Sequence, residues 1–154
     1  MEVRAYRPQL DYRAILGAQC DLYQINFPRF LCSPAFLADQ AQRLRIAARR
    51  PFENGIFVLA DEAALAGFIW VSVRSDLQGP YGSVDQVYLW PLYRHRGLGV
   101  LLMDAAHAYI RQQGLELARL YVTRDNDDAV RLYERQGYRV TRYEMERAES
   151  RPES

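Results

Sequence analysis

The chain has 154 residues, 49% of them hydrophobic and 25% charged, the size and balance of one globular domain and not of a collagen-like, disordered or disulfide-scaffold chain. Twenty basic and nineteen acidic side chains leave a net charge of +1, too even for a nucleic-acid footprint or a polybasic membrane anchor. Every basic residue is an arginine, which excludes Schiff-base lysine chemistry and any P-loop mechanism.

The N-terminal segment MEVRAYRPQLDYR has no apolar stretch of signal-peptide type, and no run approaches the ~18 apolar residues of a membrane span. A cytoplasmic protein with no membrane and no nucleic-acid partner is expected. Cys20 and Cys32 read as idle thiols of a reducing compartment, with a bridge between them left open. With His95 and His107 they show no metal-ligand spacing, so no metal is expected.

In chain order, residues 2–7 alternate as a first strand closed by Pro8. Residues 11–26 suit a helix carrying Ile15, Leu16, Cys20, Leu22 and Tyr23. A second helix opens with Ser33 as N-cap and Pro34 at its first position, and stops before Pro51. Gly55–Ala60 and Leu65–Val73 read as an antiparallel hairpin turning at Asp61-Glu62. Ser83–Leu89 is a strand, and Gly97–Gln113 is a helix with Leu98, Leu101, Leu102, Ala105 and Tyr109 on one face, closed by Gly114. His107 falls off that face and reads as surface. Leu117–Thr123 is a strand, Asp125–Gln136 a helix closed by Gly137, and Tyr138–Glu146 a last strand. Strand, helix and strand over 83–123 form a right-handed parallel crossover. The result is a mixed α/β sheet with helices on both faces. Residues 1–147 form the domain, and 148–154 a polar, frayed tail.

Arg94-His95-Arg96-Gly97-Leu98-Gly99 lies between a strand and a helix. Two glycines permit unusual backbone angles, and the helix start presents free N–H groups and the positive dipole end. With Arg94 and Arg96 this suits a pyrophosphate; the competing reading is a glycine-rich helix start with solvated arginines. The Rossmann fingerprint fails, because Leu102 stands where its third glycine belongs.

The stretch Val87-Tyr88-Leu89-Trp90-Pro91-Leu92-Tyr93 followed by that loop resembles the acetyl-CoA-binding segment of the GCN5-related N-acetyltransferase (GNAT) superfamily. Asn126-Asp127-Asp128-Ala129-Val130-Arg131-Leu132-Tyr133-Glu134-Arg135-Gln136-Gly137-Tyr138 resembles the second motif of that family, at the expected distance. The resemblance implies a single-domain acyl-CoA N-acyltransferase fold: a mixed, mostly antiparallel sheet of six to seven strands with a splayed parallel pair, flanked by about four helices.

It also implies roles. The amides from Arg94 through His95, Arg96, Gly97, Leu98 and Gly99 to Val100 would hold the cofactor pyrophosphate. Val87, Tyr88 and Leu89 would pair with the pantetheine arm through backbone groups, the Leu89 amide polarising the thioester carbonyl. The side chains of Val87 and Leu89 read as core at the same time. Tyr133, which periodicity alone makes a core residue, would protonate the leaving thiolate. Asn126 would bond the cofactor arm or cap a helix. Asp85 would take the amine proton, directly or through water, or serve as a plain substrate-binding or surface carboxylate. Tyr23, Phe27, Phe30 and Phe36 either belong to the core or, with the loop Ser75–Gly82, would wall the acceptor pocket, where Asp76 or Asp85 suits a cationic or aromatic amine.

The reading that follows is an N-acetyltransferase using acetyl-CoA as cosubstrate and a small primary amine as acceptor, by direct attack in a ternary complex. A protein or peptide acceptor and a weakly catalytic acyl-CoA-binding module are the alternatives. The resemblance makes a homodimer plausible.

Overall fold

The computed structural model describes residues 1–62 and 64–150. In chain order it contains β1 (Glu2–Ala5), α1 (Pro8–Asn26), α2 (Pro34–Ala48), β2 (Asn54–Asp61), β3 (Ala64–Asp76), β4 (Gly79–Leu89), a 3₁₀ turn (Pro91–Tyr93), α3 (Gly99–Gln112), β5 (Ala118–Leu120) and α4 (Asp127–Arg135). One sheet runs β1-β2-β3-β4-β5. Its first three pairings are antiparallel, and β4 with β5 is parallel.

The apolar run Phe68-Ile69-Trp70-Val71 explains why β3 sits at the centre. Alternate side chains leave opposite faces of a strand, so a continuous apolar run is buried on both. Phe68 and Trp70 pack with Ile15, Leu22 and Leu44 of α1 and α2. Ile69 and Val71 pack with Leu102, Met103 and Ile110 of α3.

Pro8 starts α1 instead of ending β1, since proline fits the first helical turn. The Asp11 carboxylate reaches back to the Arg7 amide at 2.7 Å and takes a two-pronged bond from Arg4. Burial raises the Asp11 pKa, but the Arg4 guanidinium and the Arg7 amide outweigh it and hold the group below the usual range.

Four expectations change. The sheet has five strands, not six to seven, because Tyr138–Glu146 forms no strand. Its alternation slips between Val140 and Tyr143, so no single face can be buried, and Val140, Tyr143 and Met145 are all exposed. Ser75–Gly82 is not a loop: β3 and β4 stay paired to Asp76 and Gly79. Asp76 accepts from the Gln78 amide, and Arg119 ties the tip to β5 through Asp76 and Gln78.

The buried stripe of α3 is Leu102, Met103, Ala106, Tyr109 and Ile110, rotated from the expected face. His107 therefore lies half-buried, stacked on Tyr138 with its Nε2 2.8 Å from the phenol oxygen, and burial lowers its pKa. Finally, Cys20 and Cys32 are joined as a disulfide, with Cα atoms 5.5 Å apart, and are not idle thiols. Of the tail, 151–154 lie outside the described residues.

Candidate functional site

The site begins where β5 stops. The parallel pairing joins Gly82, Ser83 and Val84 to Ala118, Arg119 and Leu120 and goes no further. β4 continues for five residues with β3 alone. The Trp90 amide donates to Ala66 of the β3 side at 2.9 Å. The two-residue repeat puts Gln86 and Tyr88 on that same edge, so the backbone groups of Val87 and Leu89 face the other, open edge.

The loop after the strand supplies a second set of free donors. His95 has φ 61° and Gly97 φ 71°, left-handed angles that curl the chain into the helix start. The Arg94 amide is spent on Pro91 and the Leu101 amide on Leu98. Between them, the six consecutive amides from His95 to Val100 have no hydrogen-bond partner among the described residues. Such a run, at the positive end of α3, is an anion cradle. Arg96 adds an exposed guanidinium, 5.8 Å from the centre of the Tyr93 ring. His95 lies 3.6 Å from Asp128 at the start of α4.

Gly99 sits against α4: a Cβ there would stand 2.8 Å from the tip of Leu132, which would have to shift. Tyr133, its neighbour, packs against the same apolar cluster as Leu89 and Leu98. Burial pushes the Tyr133 phenol up to about 12, which keeps it protonated at neutral pH. Asn126 is the N-cap of α4: its Oδ1 accepts from the Ala129 amide at 3.4 Å, and its Nδ2 donates to Asn26 at 3.3 Å. The capping role is therefore observed.

Asp85 occupies a β-bulge, because Trp70 pairs with Gln86 while Val71 pairs with Val84. Its Oδ1 accepts from Ser83 at 2.6 Å and Arg74 at 3.0 Å, and its Oδ2 from Ser72 at 2.5 Å. A carboxylate offers about four acceptor positions, so roughly one remains for water. Four residues of strand, at about 3.3 Å each, put Asp85 roughly 13 Å from Leu89.

Sequence reasoning missed three partners. Arg74 pairs with Asp85. Gln19 and Gln86 exchange two amide hydrogen bonds of 2.9 Å in the core. Asp21 of α1 accepts from Tyr88 at 2.6 Å and from Arg94 at 3.0 Å. Arg94 itself turns back onto the strand, its Nε donating to the Leu89 carbonyl at 2.8 Å. Only Gln19 left a signal, a polar residue in the stripe Ile15, Ala18, Leu22.

Tyr23, Phe27, Phe30 and Phe36 gather into one aromatic cluster, with Phe30 and Phe36 ring centres 4.7 Å apart. Asp76 is bound at the hairpin tip by Arg119. Two open depressions, about 690 Å³ on α4 and 410 Å³ between β1 and α3, are walled by neither Leu89 nor Gly97. Among the described residues no group of three or more His, Cys, Asp or Glu side chains converges, and no helix is long and apolar enough to cross a membrane.

Solved structures share this architecture. A mutant of the BH1408 protein from Bacillus halodurans superposes with a TM-score of 0.81 at 20% identity, over 96% of this chain and 99% of that one. PaiA N-acetyltransferase from Thermoplasma acidophilum, solved in complex with coenzyme A, gives 0.74 at 18% identity, over 93% and 92%. In sequence, the chain is 38% identical over 143 residues to mycothiol acetyltransferase of Thermobispora bispora, covering 90% of this chain and 46% of that protein. It is 33% identical over 135 residues to the enzyme of that name from Propionibacterium freudenreichii subsp. shermanii, covering 85% and 43%. The chain thus spans less than half the length of these curated relatives. The profile described as the acetyltransferase (GNAT) family matches residues 19–138, and the chain belongs to that family.

Proposed function

We propose that the chain is an acetyl-CoA-dependent N-acetyltransferase acting on a primary amine of a small molecule, by direct attack in a ternary complex. The observation that carries this reading is the continuity of free backbone donors along one line. The open edge at Val87 and Leu89 leads into the unpartnered amides of His95 to Val100. An extended pantetheine arm fits the first as an added strand, and a pyrophosphate fits the second. The name of the relatives, mycothiol acetyltransferase, supports a small-molecule acceptor.

In this reading acetyl-CoA is a substrate that supplies the thioester. The Leu89 amide donates to its carbonyl oxygen and strengthens that bond as the amine nitrogen attacks and negative charge gathers. Tyr133 passes its phenolic proton to the departing thiolate as the carbon–sulfur bond breaks. The ammonium proton leaves toward Asp85, through water across the roughly four strand residues that separate it from Leu89. Asn126 keeps the start of α4, and with it Tyr133, in place.

Calorimetric titration with CoA and acetyl-CoA tests the cradle. Wild type binds, and Gly97→Asp, which adds a side chain at φ 71° and a negative charge, does not. Tyr133→Phe keeps binding and loses turnover in a thiol-release assay run over a panel of amines. A wild type that binds neither nucleotide sinks the reading.

A further inference from the structure

Arg94 draws three elements together. Through it the glycine loop reaches the end of β4, at the Leu89 carbonyl, and the α1 carboxylate of Asp21. Its guanidinium also lies 5.3 Å from the centre of the Tyr88 ring, whose hydroxyl donates to the same oxygen of Asp21. An extended residue presents its N–H and C=O on one edge, so the Leu89 carbonyl faces the open side with the Leu89 amide. That is the edge assigned above to the pantetheine arm. In the free protein the guanidinium therefore stands where the arm would lie.

The hold on it is weak. The Arg94 and Asp21 side chains are 31% and 50% exposed, and ion pairs that wet are easily exchanged. A few residues along the chain the six free amides begin, where an incoming pyrophosphate offers a stronger anion to the same guanidinium.

We propose that Arg94 is a cofactor-operated latch, held by Asp21 and the Leu89 carbonyl in the free protein and released to the cofactor's phosphates when the pantetheine arm takes the strand edge. Asp21 is then a positioning residue that restrains cofactor affinity by holding Arg94 back. No bond is made or broken beyond hydrogen bonds and ion pairs. The inference rests on the acetyl-CoA reading of the site.

The test is a double-mutant cycle of CoA affinity over wild type, Asp21→Asn, Arg94→Ala and the pair, by calorimetry. Asp21→Asn is expected to bind CoA about fivefold tighter, at the lower end of ordinary coupling between sites, and Arg94→Ala more weakly than wild type. The gain from Asp21→Asn should vanish when Arg94 is absent. A gain that persists without Arg94 means the carboxylate merely repels phosphate, and overturns the latch. So does an unchanged or weaker affinity in Asp21→Asn, which makes the network a plain brace. A second readout is taken on the wild-type protein. The Nε–H resonance of Arg94 in wild type, assigned by its loss in Arg94→Lys, should shift and exchange faster on adding CoA; an unmoved resonance overturns the proposal. A wild type that binds no CoA fails the enzyme reading and the latch together, whereas CoA binding without the coupling fails the latch alone.

Discussion

At Gly82–Val84, β4 is hydrogen-bonded on both edges, to β3 and to β5. At Val87–Leu89 the same strand has, among the described residues, a neighbour on one edge only. The first half spends its backbone groups on the fold; the second leaves one edge of them unspent. Side chains do not make this difference, since Val84, Val87 and Leu89 all belong to the α3-side core. It comes from where the parallel partner ends. An open strand edge can thus be built from ordinary core residues by shortening a neighbour.

Replacing single backbone amides by esters, through semisynthesis, probes that division most directly. An ester at Leu89 removes the outward donor and should cut kcat about 10²–10³-fold, the loss expected for one oxyanion donor, with thermal stability nearly unchanged. The same exchange at Tyr88 removes a ladder bond and should cost about 1 kcal/mol of stability with little change in rate. If the two esters behave alike, the comparison between the halves fails.

The paired half should respond to packing. A Cβ on Gly82 would stand 2.5 Å from Ile110, so Gly82→Ala should lower unfolding stability by about 1–3 kcal/mol, as overpacking does. Its CoA affinity, read in the same titration as wild type, should stay put. Gln86 lies between the halves and is locked to Gln19. Gln86→Leu strands the partner amide in the core and should cost about 1–3 kcal/mol, whereas the double change to leucine should come close to neutral. Denaturant melts of the four proteins decide it, and simple additivity would disprove the exchange of bonds.

Asp85 gives the smallest effect. Three donors already hold it, so Asp85→Asn should slow turnover only about tenfold, below the 10²–10⁴ of a direct base. An unchanged pH–rate profile in that variant would remove it from proton transfer.

The parts legible in the sequence were those in which residue type fixes the backbone. Gly97 has a left-handed angle, Ser33 and Asn126 bond the helix starts they cap, and the runs Gly55–Ala60 and Leu65–Val73 pair as antiparallel strands. The Asp85 bulge was hidden, because the extra residue appears only when β4 is set against β3. Asp21 was hidden because a half-exposed carboxylate on a helix has no periodic signature; its role exists only once β4 and the loop come beside it. The last strand was misread from β-forming residues whose alternation slips. The pairing of Cys20 with Cys32 depends on how α1 and the chain before α2 turn, which a spacing of 12 residues does not determine.

The lengths of the strands carry one more consequence. The three inner strands have 8, 13 and 11 residues, whereas the two at the edges have only 4 and 3. A sheet edge is a template on which another chain can grow, and the reach of the template scales with its unpaired groups. Edge strands of 4 and 3 residues are one of the devices by which a sheet limits edge-to-edge pairing.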